Sequence, residues 1–88
     1  MKLSIVILNW NGKLLLKKFL PDIILYTPYT PIYVVDNASE DDSIEFLTKE
    51  YKEINIIKLS RNIGYAKAYN HALKKIDSDV YCLINSDV

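Results

Sequence analysis

Apolar positions along this chain follow two alternating patterns. Leu3 to Leu8 is an apolar run with β-branched residues, as in a strand covered on both faces. Asn11-Gly12 breaks it. Lys13 to Tyr26 then spaces Leu15, Phe19, Ile23 and Tyr26 by three and four, which predicts a helix with that face inward. Pro21 should kink this helix or restart it. Thr27 to Pro31 reads as loop and Ile32 to Val35 as a second strand. Ser39 is a candidate N-cap, with Asp42 three residues on approximating a capping box, and the acidic group Glu40-Asp41-Asp42 suits the positive end of a helix dipole. That helix should run to about Tyr51 with Ile44, Leu47 and Tyr51 inward. Ile54 to Leu59 predicts a third strand. Ile63 to Ile76 predicts a third helix, with Ile63, Ala66, Leu73 and Ile76 on one face, and Asp79 to Ile84 a fourth strand.

Strand and helix therefore alternate, which predicts an α/β fold: a parallel sheet of four strands in a three-layer sandwich, joined by right-handed crossovers. The expected strand order is 3-2-1-4, with helices on both faces and a switch point between strands 1 and 4, where ligands of open α/β sheets bind at the carboxyl ends. In this order the fourth strand, "VYCLIN", is an edge despite being apolar along its length. An open apolar edge is a template for pairing. Two expectations follow: the 88 residues are part of a longer domain that continues past Val88, and the edge of strand 4 is a route to self-association.

Eighty-eight residues suffice for one small domain, and 50% hydrophobic with 25% charged residues is a globular composition. With 11 basic and 11 acidic residues the net charge is zero. This gives no electrostatic reason to expect nucleic acid or an anionic membrane as partner. The one cysteine, Cys82, rules out an internal disulfide and suits a reducing compartment; its place in an apolar strand predicts a buried, inert thiol. No stretch approaches the ~20 apolar residues of a membrane-spanning helix, and no targeting segment is visible. His71 reads as a surface residue of the third helix.

Polar residues collect after each strand: Asn9, Trp10 and Asn11; Asp36, Asn37 and Ser39; Ser60, Arg61 and Asn62; Asn85 and Asp87. Parallel strands put all four sets on one rim, where hydrogen-bonding side chains bordering an apolar slab form a polar ligand site. Each residue also has a plainer reading. Asp36 and Asp87 suit strand-end turns, Arg61 suits a solvated loop, and Trp10 suits packing beneath the rim as well as stacking on a base. Asn70, on the expected inward face of the third helix, needs partners there. As a ligand, Asp87 is suited to Mg²⁺ or Mn²⁺, which take oxygen donors and often only one or two from protein.

In order and spacing, "SIVILNWNG", "VVDNASEDDS", "LSRNIGYAKAYNHAL" and "YCLINSDV" resemble the nucleotide-binding half of family 2 glycosyltransferases of the GT-A fold, in particular rhamnosyltransferase-like members. The resemblance covers essentially the whole chain and implies that residues 1–88 are the donor-binding half of a GT-A domain whose acceptor-binding half is absent. It implies further that Asn9, Trp10 and Asn11 line the nucleobase pocket and that Asp36 reads the base, typically at the uracil imide N–H. Arg61 then stands near the base carbonyl, Asn62 and Gly64 beside the nucleoside, and Gly64 where a side chain would crowd the ligand. Asn85-Ser86-Asp87 aligns with the DxD motif, with Asn in place of the first acid: Asn85 is then a ribose contact and Asp87 the ligand of Mg²⁺ or Mn²⁺.

The implied reaction is sugar transfer from a nucleoside diphosphate donor, UDP- or dTDP-linked by preference, to a hydroxyl of a glycan or lipid-linked acceptor, with inversion. The catalytic base belongs to the later half, so no residue before Val88 is assigned to it, and the isolated chain is expected to be inactive in transfer. The implied setting is bacterial cell-wall or polysaccharide synthesis, in the cytoplasm or at the inner face of the membrane. The alternative is a non-catalytic α/β module that only binds nucleotide or protein. A dinucleotide-binding oxidoreductase would carry G-x-G-x-x-G after strand 1, where this chain has only Gly12. A sugar nucleotidyltransferase would want a Gly/Arg-rich loop there. A receiver domain would need acids at strand 1 and an Asp after strand 3, where Asn9 and Ser60 stand.

Overall fold

The computed structural model describes residues 2–85. Its elements are β1 (Leu3–Asn9), α1 (Lys13–Tyr26), β2 (Ile32–Asp36), α2 (Ser43–Glu50), β3 (Asn55–Lys58), α3 (Tyr65–Leu73) and β4 (Val80–Asn85). The strands form one parallel sheet in the order β3-β2-β1-β4, as the alternation predicts. Side chains of a strand alternate between faces, and this splits the core in two. Ile5, Ile7, Ile32 and Val34 pack with Leu16, Leu20 and Leu47 on one face. Val6, Leu8 and Val35 pack with Ala68, Ala72 and Ile76 on the other. The chirality rule explains the split: the first two crossovers step outward in one direction, the third steps back, and a right-handed connection then lands on the opposite face.

Several local expectations are corrected. The inward line of α1 is Leu16 and Leu20, with Leu15 and Ile23 half-buried at its flank, while Phe19 and Tyr26 are 40% and 80% exposed. Leu14-Leu15-Leu16 is apolar at three successive positions, so spacing alone leaves the stripe free to rotate by one residue. Pro21 neither ends nor restarts the helix. Pro21 and Lys17, whose carbonyl loses its N–H partner to the proline, both lie on the exposed side of the helix. In α3 the inward line is Ala68 and Ala72, continued past the helix end by Ile76, which leaves Ala66 and Asn70 exposed; Asn70 is not the buried amide the spacing predicts. Cys82 is exposed as well. It pairs with Ile5 across the sheet, but the helical layer that buries Ile5 does not extend over the outer strand. His71 is exposed, as expected.

The register sets the rim. Leu8 stands opposite Asn85, Asn9 opposite Asp36, and Asp36 opposite Lys58. All four strands therefore end within about one residue of a common line, and the loops that leave β1, β2 and β3 converge. Beside α1, an apolar trench of about 220 Å³ lies between Leu15, Leu16, Phe19 and Ile23 and the exposed face of β4 at Ile84.

Candidate functional site

At the carboxyl rim an open cavity of about 710 Å³ is lined by Trp10 from the first loop; Asp36, Ala38, Ser39, Glu40 and Asp41 from the second; and Lys58, Leu59, Ser60, Arg61 and Asn62 from the third. Its size is that of a small-molecule cleft, and its lining is polar and carries both charge signs. Trp10, Asp36 and the Arg61-Asn62 pair, far apart in sequence, thus share one wall system. Trp10 is 45% exposed, which favours an open ring over packing beneath the rim. Arg61 is exposed and pairs with no carboxylate among the described residues.

Asn9 and Asp36 play a different part from a simple wall. Asn9 is fully enclosed. Its amide donates to Asp36 Oδ1 at 2.9 Å and to Ser39 Oγ at 3.2 Å, and its Oδ1 accepts the Gly12 N–H at 3.1 Å. Ser39 donates its hydroxyl to Asp36 Oδ1 at 2.6 Å and its N–H to Oδ2 at 3.0 Å. A carboxylate has about four acceptor positions; three are filled from the protein, so the carboxylate is held in one orientation with a single position left on Oδ2. Asp36 is therefore both the turn-former and a cavity residue, the two readings its sequence context left open. Ser39 is not the cap of α2. That helix begins at Ser43, with Asp42 in the capping position and no side-chain cap bond, because the Ser39 hydroxyl is engaged at Asp36.

Asn11, at φ 53°, holds the same loop from the other side. Its N–H donates to Ser39 Oγ at 2.9 Å, and its Oδ1 accepts the N–H groups of Glu40 and Asp41 at 2.6 and 3.2 Å. Lys13 Nζ reaches Asp42 at 2.6 Å. That hydrogen bond raises the lysine's pKa and holds the Asp42 carboxyl below its usual value. The folded-state pKa of Asp42 being depressed, this tie is present at neutral pH and is lost as pH falls through the carboxylate range.

The third loop is tied to the second by Asn37, also fully enclosed. Its Nδ2 donates to Asn62 Oδ1 at 3.0 Å, and its Oδ1 accepts the Ile63 N–H at 3.1 Å. Gly64 then opens α3 at φ 82°, ψ 165°, a region nearly closed to residues with a side chain. A Cβ there would meet no atom of the described residues within 4 Å, so among them the glycine is required by its backbone conformation rather than by crowding. Gly64→Ala is expected to destabilise the fold by about 1–3 kcal/mol. Thermal unfolding checks this: a Tm within about 2 °C of the parent would contradict it, since 1 kcal/mol moves a chain of this size by roughly 4–8 °C.

Asn85, at the end of β4, accepts the Tyr69 hydroxyl on its Oδ1 at 2.6 Å, so its amide oxygen is engaged. It lies outside the 710 Å³ cavity. Asp87, the expected metal ligand, lies outside the described residues. Among the described residues no group of three or more His, Cys, Asp or Glu is arranged to hold a metal ion. The sequence pattern places Asn37 on the rim without a role, reads Ser39 as a helix cap and does not single out Tyr69. Ser39 meets Asn9, Asn37 meets Asn62 and Tyr69 meets Asn85 across 30, 25 and 16 positions, at hydrogen-bonding distances that the sheet register creates.

A family model described as glycosyl transferase family 2 matches residues 4–88. Among solved structures, S. aureus TarS 1-349 in complex with UDP-GlcNAc superposes with a TM-score of 0.83 at 24% identity, over 99% of this chain and 27% of that one. The longer S. aureus TarS structure gives 0.82 at 22% identity, over 99% and 17%. A mannosyltransferase from Pyrobaculum calidifontis, PcManGT, in complex with GDP-Man and Mn²⁺ gives 0.79 at 19% identity, over 98% and 27%. These likenesses show a shared fold, the GT-A type, and this chain spans less than a third of each matched structure. A comparison with curated protein sequences gave no significant match.

Proposed function

Because the chain belongs to glycosyl transferase family 2, we propose that its 88 residues form the donor-binding part of an enzyme that moves a sugar from a nucleoside diphosphate to an acceptor hydroxyl with inversion. The rim cavity carries this reading: it brings an open indole, an oriented carboxylate and a free guanidinium together. Trp10 offers a face to stack on a base. Asp36 offers its one remaining acceptor position to an imide N–H, as uracil and thymine have. Arg61 offers donors to the base carbonyl beside it. Asn9, Asn11 and Gly64 shape the loops, and the Asn85 amide, its oxygen engaged by Tyr69, offers N–H donors to oxygens of the ribose or phosphates.

Transfer itself requires an acceptor oxygen to attack the anomeric carbon while the bond to the diphosphate breaks and the diphosphate departs with the bonding pair. The hydroxyl proton goes to a base outside these 88 residues. Asp87 is the residue proposed to hold Mg²⁺ or Mn²⁺. The donor that Asp87 brings is a carboxylate, a hard oxygen ligand that suits those ions rather than a soft metal. When bound, such an ion offsets the charge of the diphosphate.

The test is to titrate the 88-residue chain with UDP, dTDP and GDP, with and without Mn²⁺, while following the fluorescence of Trp10, its only tryptophan. Saturable binding that favours the two pyrimidine nucleotides and strengthens with Mn²⁺ is expected, with no sugar transfer. No response to any nucleotide would favour a module without nucleotide chemistry, and transfer by the isolated chain would refute the division of labour.

A further inference from the structure

We propose that Asn37 and Asn62 are a positioning pair that sets Arg61 in the cavity, and that Asn62 acts through this tie rather than by touching the nucleotide. The inference rests on the nucleotide reading above and assigns roles within it. Arg61 is carried by a short loop with no regular structure of its own, and a long side chain on a free loop would spend its binding energy on becoming ordered. Here both ends of that loop are pinned to adjacent residues of the second strand end. Before Arg61, the Leu59 N–H donates to the Asp36 carbonyl at 2.9 Å. After it, Asn37 donates to Asn62 Oδ1 at 3.0 Å and accepts from the Ile63 N–H at 3.1 Å.

The loop is therefore registered to Asp36, which carries the carboxylate of the site, and to its neighbour Asn37. Asn37 is itself fixed from below: it has no exposed surface, and its N–H donates to the Asn9 carbonyl at 2.8 Å. Asn62 Oδ1 is doubly occupied, since the Gly64 N–H also donates to it at 3.0 Å. The oxygen of Asn62 thus faces the protein, and its work there is that of an acceptor. A carboxylate of the same shape would do that work equally well, whereas a carboxylate beside a bound diphosphonucleoside would repel it.

This contrast gives the experiment. Asn62 is exposed, so substitutions at it leave the core untouched. In UDP titrations of the 88-residue chain, Asn62→Ala is expected to weaken binding about tenfold. Asn62→Asp, which restores the acceptor, should stay within about threefold of the parent. In an Arg61→Ala background the effect of Asn62→Ala should shrink below about twofold, because the tie then has no guanidinium to place. Independently of nucleotide, hydrogen exchange at the Ile63 and Gly64 amides should quicken in Asn62→Ala and not in Asn62→Asp.

If UDP binds the parent but Asn62→Asp weakens it as much as alanine does, or the two alanine effects simply multiply, the positioning role is wrong while the nucleotide site stands. If the parent binds no nucleotide at all, the reading beneath it has failed, and the pair is only a loop tie.

Discussion

Asn9→Ala is expected to remove about 3–5 kcal/mol of folding stability, the largest effect of any single polar substitution at the rim. The expectation comes from what the alanine would leave behind. Asn9 has no exposed surface, and Gly12 is buried beside it. Truncation strips the Gly12 N–H of its acceptor and takes one of three protein donors from the enclosed Asp36 carboxylate. A buried donor without an acceptor costs about 1–3 kcal/mol, and a charged acceptor left short of a donor costs more. Domains of this size have only about 5–10 kcal/mol in total, so the variant should keep about half of its stability or less. Urea denaturation checks this. With a slope near 1 kcal/mol/M, the midpoint should fall by roughly 3 M or the variant be unfolded without urea. A fall below about 1 M would mean that the loops, not Asn9, hold the carboxylate.

The same residue shows what was legible in the sequence. That Asn9 follows a buried strand and belongs to a polar rim is written in the alternation of apolar runs and turn residues. So are the element order, the parallel sheet and its 3-2-1-4 order, because crossover handedness leaves few arrangements. That Asn9 is a hub enclosed by the protein, and not itself an open wall of the cavity, depends on its register opposite Asp36, which no local pattern encodes.

The errors have the same physical origin. Leu14-Leu15-Leu16 is too uniformly apolar to say which leucine turns inward. Ser39 looks like a helix cap until Asp36 is seen within 2.6 Å of its hydroxyl. Cys82 looks buried because "VYCLIN" is apolar, yet burial requires a covering layer that this outer strand lacks on that face. Asn37 carried no distinguishing signal, since an Asn after a strand is common for turn reasons alone; its importance appears only through Asn62 and Ile63, about 25 positions on.

Asp36→Asn is expected to weaken UDP binding about 30- to 100-fold and, more tellingly, to erase the preference for UDP over CDP. Uracil presents an imide N–H where cytosine presents an acceptor nitrogen. The parent carboxylate, with one acceptor position left on Oδ2, suits the first and repels the second. The amide cannot keep both the loop and the ligand. If its nitrogen takes the place of Oδ1, it faces the donating Asn9 amide and Ser39 hydroxyl, at 2.9 and 2.6 Å in the parent. If it takes the place of Oδ2, it faces the Ser39 N–H, at 3.0 Å in the parent, and the imide N–H of the ligand. Two donors meet in either case, and in the second the amide N–H₂ offers cytosine the donor it lacked. Trp10 fluorescence titrations with both nucleotides would read the ratio directly. A parent ratio of about 100 falling toward one in the variant fits a carboxylate that reads the base. If both nucleotides weaken by the same factor, Asp36 acts only by shaping its loop, and the base is read elsewhere in the cavity.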